Sequence, residues 1–267
     1  MKKILLSLVL IGLMGLNARA EKIVIEGSTT VLPIAQKGAE VYMQNHSDAD
    51  ISVRGGGSGV GIASLLDGSC DIADSSRPIK DTELDKAVTN GKDVKAHIVA
   101  MDGIAVVVNP NNTVGALTKQ QLKDIYIGKV KNWKEVGGSD AKIVVISRDS
   151  SSGTFEAFGE LALDKAKVRP DALMSASNQQ ISSTISRTPD AIGYVGLGYV
   201  NSGVKVLQIN GVAASVDTVL SGKYLLSRPL FMYTNGTPQG LVKEFIDFVK
   251  GADGQKIVEE EGFVVLK

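Results

Sequence analysis

Four short polar loops carry most of the side chains in this sequence that are suited to binding a ligand. All four contain serine, threonine or glycine, and an arginine closes one and precedes another: GSTT at 27–30, GGGSG at 55–59, DSSR at 74–77 and SSSG at 150–153, after Arg148. Hydroxyls and glycine amides are compact hydrogen-bond donors, and a guanidinium is a planar charged one. Each loop alone also fits an ordinary helix N-cap. Together they predict an oxyanion site, because a buried anion needs many donors to replace water.

Enzyme and metal motifs fit the sequence less well. Val60 stands where a G-x-G-x-x-G dinucleotide loop, or a G-x-S-x-G nucleophile elbow, needs its last glycine. The same glycine run lacks the Lys-Ser/Thr ending of a P-loop. His46 and His97 have no partners at catalytic or metal-ligand spacing, and Cys70 is the only thiol. We therefore predict no catalytic residue, no metal site and no cofactor.

The first twenty residues are typical of an export signal. Lys2 and Lys3 precede an apolar run over 4–16, and small residues over 18–20 suit cleavage near Ala20. The apolar run is shorter than the roughly 20 residues that a membrane span needs. Because the single cysteine lies far from the cleavage point, lipid attachment there is not expected. The sequence predicts an unlipidated periplasmic protein without an intrachain disulfide.

Size and charge limit the remaining function classes. The chain has 267 residues, with 29 Lys+Arg against 29 Asp+Glu, and the leader contains three of the basic residues. The mature chain is thus slightly acidic, whereas nucleic-acid-binding proteins favour a basic surface. No nucleic-acid partner is expected, and an anion has to be captured by a local site. About 247 mature residues favour two domains over one.

Alternating strand and helix patterns place the loops. Val- and Ile-rich runs predict strands at 22–26, 51–54, 97–100, 104–108, 142–146 and 204–207. Helical periodicity covers 33–45, 82–90, 154–163 and 241–250, and we expect left-handed stops at Gly91 and Gly251. Such alternation predicts a mainly parallel sheet covered on both faces, with ligands at the carboxyl ends of the strands. Segments 100–104 and 228–233 are the expected crossings between two apolar clusters.

Taken in order, these segments resemble the periplasmic phosphate-binding proteins of bacterial phosphate ABC transporters. The matching stretches cover the mature chain: GSTTVLPIA at 27–35, GGGSGVGI at 55–62, DIADSSRPIK at 71–80, DGIAVVVNP at 102–110, IYIGKVKNWKEVGG at 125–138, SRDSSSGTF at 147–155 and AIGYVGLGYV at 191–200. The resemblance implies an α/β type II periplasmic-binding-protein fold, with two α/β lobes joined by a two-segment hinge. We expect lobe 1 at 21–102 and 228–267, and lobe 2 at 103–227.

The resemblance and the loop chemistry together give the expected phosphate-binding residues. They are Ser28, Thr29, Thr30, Ser58, Ser76 and Arg77 in lobe 1, and Arg148, Ser152, Gly153 and Thr154 in lobe 2. Many members of the family carry an aspartate at the position of Ser76, and that carboxylate accepts the proton of hydrogen phosphate. Asp149, Asp74 and Asp71 are the remaining candidates for this acceptor.

The function that the resemblance implies is high-affinity capture of inorganic phosphate in the periplasm. A monomeric carrier would close on the ion and deliver it to the membrane permease of an ABC transporter. A carrier of sulfate, molybdate or tungstate is the alternative within the same fold. A secreted phosphatase with a loop serine as nucleophile, and an adhesin or sensor subunit, are alternatives from other classes.

Overall fold

A computed structural model describes residues 21–266, so the expected leader and its cleavage point lie outside the described residues. The strands of this part are β1 (Glu21–Gly27), β2 (Ala49–Gly55), β3 (Ile72–Ser75), β4 (Val94–Val108), β5 (Ala116–Leu117), β6 (Val144–Arg148), β7 (Leu173–Ser175), β8 (Ala191–Gly196), β9 (Lys205–Val206), β10 (Gln208–Ile209) and β11 (Ser227–Asn235). The α-helices are α1 (Leu32–Asn45), α2 (Ser58–Asp67), α3 (Asp81–Thr89), α4 (Lys119–Tyr126), α5 (Gly153–Leu161), α6 (Asn178–Arg187), α7 (Val216–Leu220), α8 (Gly240–Lys250) and α9 (Ala252–Glu260). No helix over 21–266 is long and apolar enough to cross a membrane.

The main sheet is mixed, whereas the sequence predicts a mainly parallel one. Its strand order is β2-β1-β3-β11-β4-β8-β6-β7, and β9 pairs with β4 beside this path. The pairs β1–β2, β1–β3, β6–β7 and β6–β8 are parallel, as expected for strands linked through helices. Every pair made by β4 or β11 is antiparallel. The prediction of a mainly parallel sheet is wrong for these two strands, which lie side by side and antiparallel in the middle of the strand order.

Strand β4 joins two segments that the sequence analysis predicts as separate strands. Runs 97–100 and 104–108 belong to one extended strand, because Asp102 and Gly103 stay in the ladder between them. The first part of β4 pairs with β11, and its last five residues pair with β8. The predicted crossing 228–233, and the predicted crossing 100–104 as far as Gly103, lie within this antiparallel β4–β11 ribbon.

Two sets of buried apolar side chains flank the ribbon, and we use them to define the lobes. The first lobe contains the core residues up to Ala100 and from Leu230 to Phe263. The second lobe contains the core between Ile104 and Leu226, including the fully buried Trp133. In the first lobe, helices α1, α8 and α9 cover one face of the sheet, and α2 and α3 cover the other. Both faces of the first lobe's part of the sheet are therefore buried, as the sequence predicts.

The two predicted helix stops have different outcomes. Gly91 has φ +65°, in the left-handed region, as expected after a helix. Gly251 has φ −75° and ψ 178°, so the prediction of a left-handed stop is wrong there. Gly251 is also the N-cap of α9, and that position takes an extended conformation. The chain therefore turns directly from α8 into α9.

Close packing of α9 on α8 predicts an asymmetry between two helical glycines. A Cβ at Gly254 would lie 2.3 Å from the Phe248 carbonyl oxygen, whereas a Cβ at Gly159 in α5 meets no atom within 4 Å. We expect Gly254→Ala to lower the free energy of unfolding by about 1–3 kcal/mol, because rigid backbone has to move. Gly159→Ala should raise it by about 0.5–1 kcal/mol through helix propensity. Urea unfolding of both variants measures the difference, and equal effects would contradict the packing argument.

Candidate functional site

Hydroxyl groups from separate loops meet where the two lobes touch. The Oγ1 atoms of Thr30, from the first lobe, and Thr154, from the second, are 2.9 Å apart. Arg148 Nη2, also from the second lobe, donates to Thr29 Oγ1 at 3.1 Å. These four side chains are all buried, although the sequence separates Thr30 from Thr154 by 124 positions. The structure thus brings together four of the residues predicted to bind an anion.

Helix α5 enters the same junction through its N-terminus. Ser152 is the N-cap, and its Oγ accepts the amide of Phe155 at 3.2 Å. Helix geometry leaves the amides of Gly153 and Thr154 without a partner inside the helix, and this end carries a partial positive charge. A Cβ at Gly153 would lie 2.3 Å from Ser58 Oγ, so only glycine allows this approach. The first turn of α5 therefore faces the second loop at contact distance.

Ser58 and Ser76 form the first-lobe side of this contact. The Ser76 amide donates to Ser58 Oγ at 3.0 Å, and the two hydroxyl oxygens are 3.4 Å apart. Both side chains are almost fully buried. A Cβ at Gly153 would also lie 2.8 Å from Ser76 Oγ, so both hydroxyls border the α5 terminus. Loops 55–59 and 74–77 thus both contribute to the hydroxyls that meet at the junction. We call these side chains, Thr29, Thr30, Ser58, Ser76 and Thr154, the convergent group.

Arg148 is a buried charge without a carboxylate partner in the described part of the chain. Its side chain is 1% exposed, and its Nε donates to the Ser175 carbonyl at 3.1 Å. Nη2 donates to the Ala176 carbonyl at 2.9 Å as well as to Thr29, whereas Nη1 has no acceptor. Burial lowers the pKa of Arg148, but a guanidinium stays protonated in proteins. The site therefore holds an uncompensated positive charge with two N–H donors free.

Three residues of the site were missed by the sequence analysis. Arg228 of β11 pairs with Asp102 of β4 at 2.9 Å, and its Nη2 donates to Thr154 Oγ1 at 3.0 Å. Asn178, the first residue of α6, donates through Nδ2 to Thr29 Oγ1 at 3.2 Å and to Thr30 Oγ1 at 3.0 Å. A charged residue inside each predicted crossing was the available signal for the ion pair. Nothing in the sequence around Asn178 distinguishes it from an ordinary helix start.

Arg77 points away from the convergent hydroxyls. Its Nη2 is 2.7 Å from Glu83 Oε1, and its Nε is 2.7 Å from Glu156 Oε2 on helix α5. Lys80 Nζ reaches the other Glu156 oxygen at 2.6 Å. Two carboxylates thus pair with the guanidinium that the sequence analysis expects to bind an anion. Arg77, Lys80 and Glu156 form an ion-pair bridge between the lobes, which we call the interlobe bridge.

Ser28 supports its own helix terminus rather than the junction. Its Oγ accepts the amides of Thr30 at 3.1 Å and Val31 at 3.4 Å. The Ser28 amide donates to the Asp74 carbonyl at 2.8 Å, which fixes the first loop against β3. The hydroxyl of Ser28 therefore orders the backbone that presents Thr29 and Thr30.

The three candidate proton acceptors lie in different environments. Asp149 accepts the Ser151 amide at 2.9 Å, and Asp71 accepts the Val24 amide at 2.7 Å. Asp74 is 1% exposed, and neither of its carboxyl oxygens has a hydrogen-bond partner. Burial raises the pKa of Asp74 well above its ordinary value. None of the three carboxylates hydrogen-bonds the convergent hydroxyls. Over 21–266, no group of three or more His, Cys, Asp or Glu side chains is placed to hold a metal ion.

Comparisons with known proteins agree with one another over most of the chain. Residues 15–252 match the model of the PBP superfamily domain. A phosphate-binding protein PstS of Bacillus subtilis is 38% identical over 245 residues, which cover 90% of this chain and 79% of the relative. The PstS of Borreliella burgdorferi is 36% identical over 264 residues, which cover 94% of this chain and 92% of the relative.

Solved structures give the same result. A Clostridium perfringens structure, described as a phosphate ABC transporter substrate-binding protein with bound phosphate, has a TM-score of 0.87 and 35% identity. It covers 92% of this chain and 100% of its own. An ABC-type phosphate transport receptor from Vibrio cholerae has a TM-score of 0.75 and 34% identity. The match covers 91% of this chain and 100% of the receptor chain.

The buried Asp74 carboxyl predicts a stability that depends on pH. Burial raises its folded-state pKa above the unfolded value near 3.8. The free energy of unfolding is therefore highest below pH 3.8, where the carboxyl is neutral in both states, and it falls as the pH rises from there through the folded-state pKa. We expect Asp74→Asn to raise the free energy of unfolding by about 1–3 kcal/mol at pH 8, and by much less at pH 4. Asp71→Asn is the matched control, because this side chain is exposed at the start of the same segment. A gain that is independent of pH would contradict the interpretation.

Proposed function

This chain belongs to the PstS family of phosphate-binding proteins, within the PBP superfamily, and we propose that it binds inorganic phosphate for an ABC transporter. The relatives are named as phosphate-binding proteins, and one similar structure contains bound phosphate. The proposed ligands from lobe 1 are Thr29, Thr30, Ser58 and Ser76. Those from lobe 2 are Arg148, Thr154 and the helix terminus that Ser152 and Gly153 form.

The unpaired Nη1 of Arg148 is the observation that carries the proposal. A buried charge is tolerated when it is paired and hydrogen-bonded, and no carboxylate among residues 21–266 pairs with this guanidinium. An oxyanion beside Nη1 supplies both the opposite charge and the missing acceptors. The hydroxyls of Thr29 and Thr154 and the amides of α5 are donors close by. The polarity of the site therefore suits a tetrahedral oxyanion.

Capture of the ion requires contributions from both lobes. We assign lobe 1 to residues 21–102 and 228–267, lobe 2 to residues 103–227, and the hinge to the β4–β11 ribbon. An ion that accepts bonds from Thr29 and Arg148 together favours the closed arrangement of the lobes over the open one. Because Arg77 is held by Glu83 and Glu156, its proposed role is in the interlobe bridge and not in binding phosphate.

Export and delivery complete the proposal. The predicted leader would send the chain out of the cytoplasm, with removal near Ala20, and the protein would work as a periplasmic monomer. Its partner would be the membrane permease of the transporter. The named relatives are binding proteins, and we propose that this chain likewise has no enzymatic activity. The hydroxyls of Ser58 and Ser76 hydrogen-bond each other, and neither bonds a histidine or carboxylate suited to activating a nucleophile.

Removal of Arg148 tests the site directly. We expect Arg148→Ala to weaken phosphate binding at least tenfold, because a charge-assisted hydrogen bond contributes about 1.5–3 kcal/mol. Arg54→Ala is the matched control, since Arg54 is exposed at the end of β2, and it should keep the wild-type affinity. Isothermal titration calorimetry with inorganic phosphate measures both variants. Unchanged affinity in Arg148→Ala would assign this arginine to structure alone.

Competition titration separates phosphate from other tetrahedral oxyanions. Sulfate, molybdate and tungstate are added to the wild-type protein saturated with phosphate, and displacement is followed at equal concentrations. We expect phosphate to stay bound against each of them. Displacement by sulfate at a comparable concentration would reject the phosphate assignment and favour the alternative carrier.

Loss of the interlobe bridge is expected to shorten the lifetime of the closed complex. Glu156→Gln removes the carboxylate that faces Arg77 and Lys80, while Arg77 keeps Glu83. At about 1 kcal/mol for a partly exposed ion pair, phosphate should dissociate roughly fivefold faster. Glu160→Gln, an exposed position in the same helix, is the control. Stopped-flow dissociation gives the rates, and equal rates in the two variants would exclude a role for the bridge.

A further inference from the structure

Hydrogen-bond counting at Thr29 fixes the direction of its hydroxyl. A threonine oxygen has two lone pairs and one proton. Thr29 Oγ1 receives N–H groups from Arg148 Nη2 at 3.1 Å and Asn178 Nδ2 at 3.2 Å. Both donors lack any acceptor capacity at these nitrogens, so both lone pairs of the oxygen are used. The Thr29 proton is therefore left to bond to a group other than these two.

The same count applies to the Thr30–Thr154 pair as a unit. Thr30 Oγ1 receives Asn178 Nδ2 at 3.0 Å, and Thr154 Oγ1 receives Arg228 Nη2 at 3.0 Å. The two hydrogens of Arg228 Nη2 are used by Asp102 Oδ2 and Thr154, so its 3.4 Å approach to Thr30 adds no further full bond. The 2.9 Å contact between the two threonines can run in either direction, and it uses one of their two protons. The other proton of the pair, like that of Thr29, is directed elsewhere.

Both nitrogen donors are held in orientation by their remaining contacts. Asn178 Oδ1 accepts the Gly196 amide at 3.2 Å, which places the Nδ2 group towards the two threonines. Both hydrogens of Nδ2 are then used, one on Thr29 and one on Thr30. Arg228 is fixed by Asp102 Oδ2 at 2.9–3.0 Å and by the Ser76 carbonyl at 2.9 Å. Asp102 itself accepts the Leu197 amide at 2.9 Å.

We propose that Asn178 and Arg228 are positioning residues that set the hydrogen-bond direction of the threonine hydroxyls in the phosphate site. Together with Arg148, they occupy lone pairs of these oxygens, so that the proton of Thr29 and one proton of the Thr30–Thr154 pair are left to point towards the anion. A free hydroxyl can turn a lone pair towards an anion, whereas Thr29 has none left to turn. The inference rests on the proposed function and extends it to residues that the sequence motifs do not contain.

The Ser58–Ser76 pair lacks this constraint. Either hydroxyl is able to donate to the other at 3.4 Å, and Ser58 Oγ accepts one backbone amide from Ser76. Ser76 Oγ therefore retains lone pairs, whereas Thr29 Oγ1 has none left. A protonated phosphate oxygen needs an acceptor, and the serine pair offers one. Donor direction is thus fixed at Thr29 and adjustable at the serine pair.

Two substitutions at Asn178 distinguish hydroxyl direction from packing. Asn178→Asp preserves shape and the acceptor for Gly196 but replaces the Nδ2 donor with a carboxylate oxygen, which would draw the threonine protons towards itself. Asn178→Ala removes the donor and leaves the hydroxyls free to rotate. We expect phosphate affinity at pH 8 to fall about 10- to 100-fold in Asn178→Asp and only a few-fold in Asn178→Ala. An equal or larger loss in Asn178→Ala would assign Asn178 to packing and overturn the proposal.

A double-mutant cycle distinguishes a change in hydroxyl direction from simple repulsion between the new carboxylate and phosphate. If the direction of the hydroxyl is what changes, Asn178→Asp should cost less affinity in a Thr29→Val background than in the wild type. Repulsion would give the same loss in both backgrounds, and that result would reject the proposal. The loss should also shrink as pH falls and the new carboxyl is protonated.

A second double-mutant cycle avoids Asn178 altogether. Because Thr30 and Thr154 are inferred to share one bond and to present one proton between them, the double variant Thr30→Val, Thr154→Val should lose less affinity than the sum of the two single losses. Additive losses would show that the two hydroxyls contact the ion independently and would overturn this assignment. Wild-type protein is titrated with phosphate in parallel, since failure of the wild type to bind would reject the proposed function rather than the inference.

Discussion

The structure around the candidate site depends on a buried guanidinium that the protein itself does not neutralise. Arg148 is enclosed by carbonyls and one hydroxyl, and one of its terminal nitrogens faces no acceptor. Arg228, which donates to Thr154, has Asp102 as a buried counter-ion. The two arginines therefore have different roles, since one is a completed ion pair and the other requires a ligand. That asymmetry gives the site one net positive charge, to which the helix termini add their partial charges.

The positions of the four loops follow from local rules that can be read from the sequence. Each loop follows a strand, and those at 27–30, 55–59 and 150–153 lead directly into α1, α2 and α5, where hydroxyls and free amides are expected. Parallel neighbours then bring the first three loops to one sheet edge. Arg148 was predictable for the same reason, as the last residue of β6.

Residues that depend on distant partners were beyond sequence reasoning. Arg77 resembles a ligand in its loop, and only the folded positions of Glu83 and of Glu156, on the other lobe, show that it is already paired. Asn178 has no motif of its own, and its contacts with Thr29 and Thr30 span about 150 positions. Strand β4 was divided because Asp102 and Gly103 interrupt its apolar pattern, although hydrogen bonding continues through them. Non-local pairing, not local propensity, decides each of these cases.

The ribbon formed by β4 and β11 has a mechanical consequence. Two strands joined by a ladder of backbone hydrogen bonds resist sliding past each other, because a one-residue slip would exchange the faces of every side chain. Bending across the plane of the ribbon breaks no such bond. Asp102 and Arg228 are direct neighbours in this ladder, so their ion pair travels with the ribbon as it flexes. The ladder therefore favours bending of the ribbon over sliding of one strand along the other.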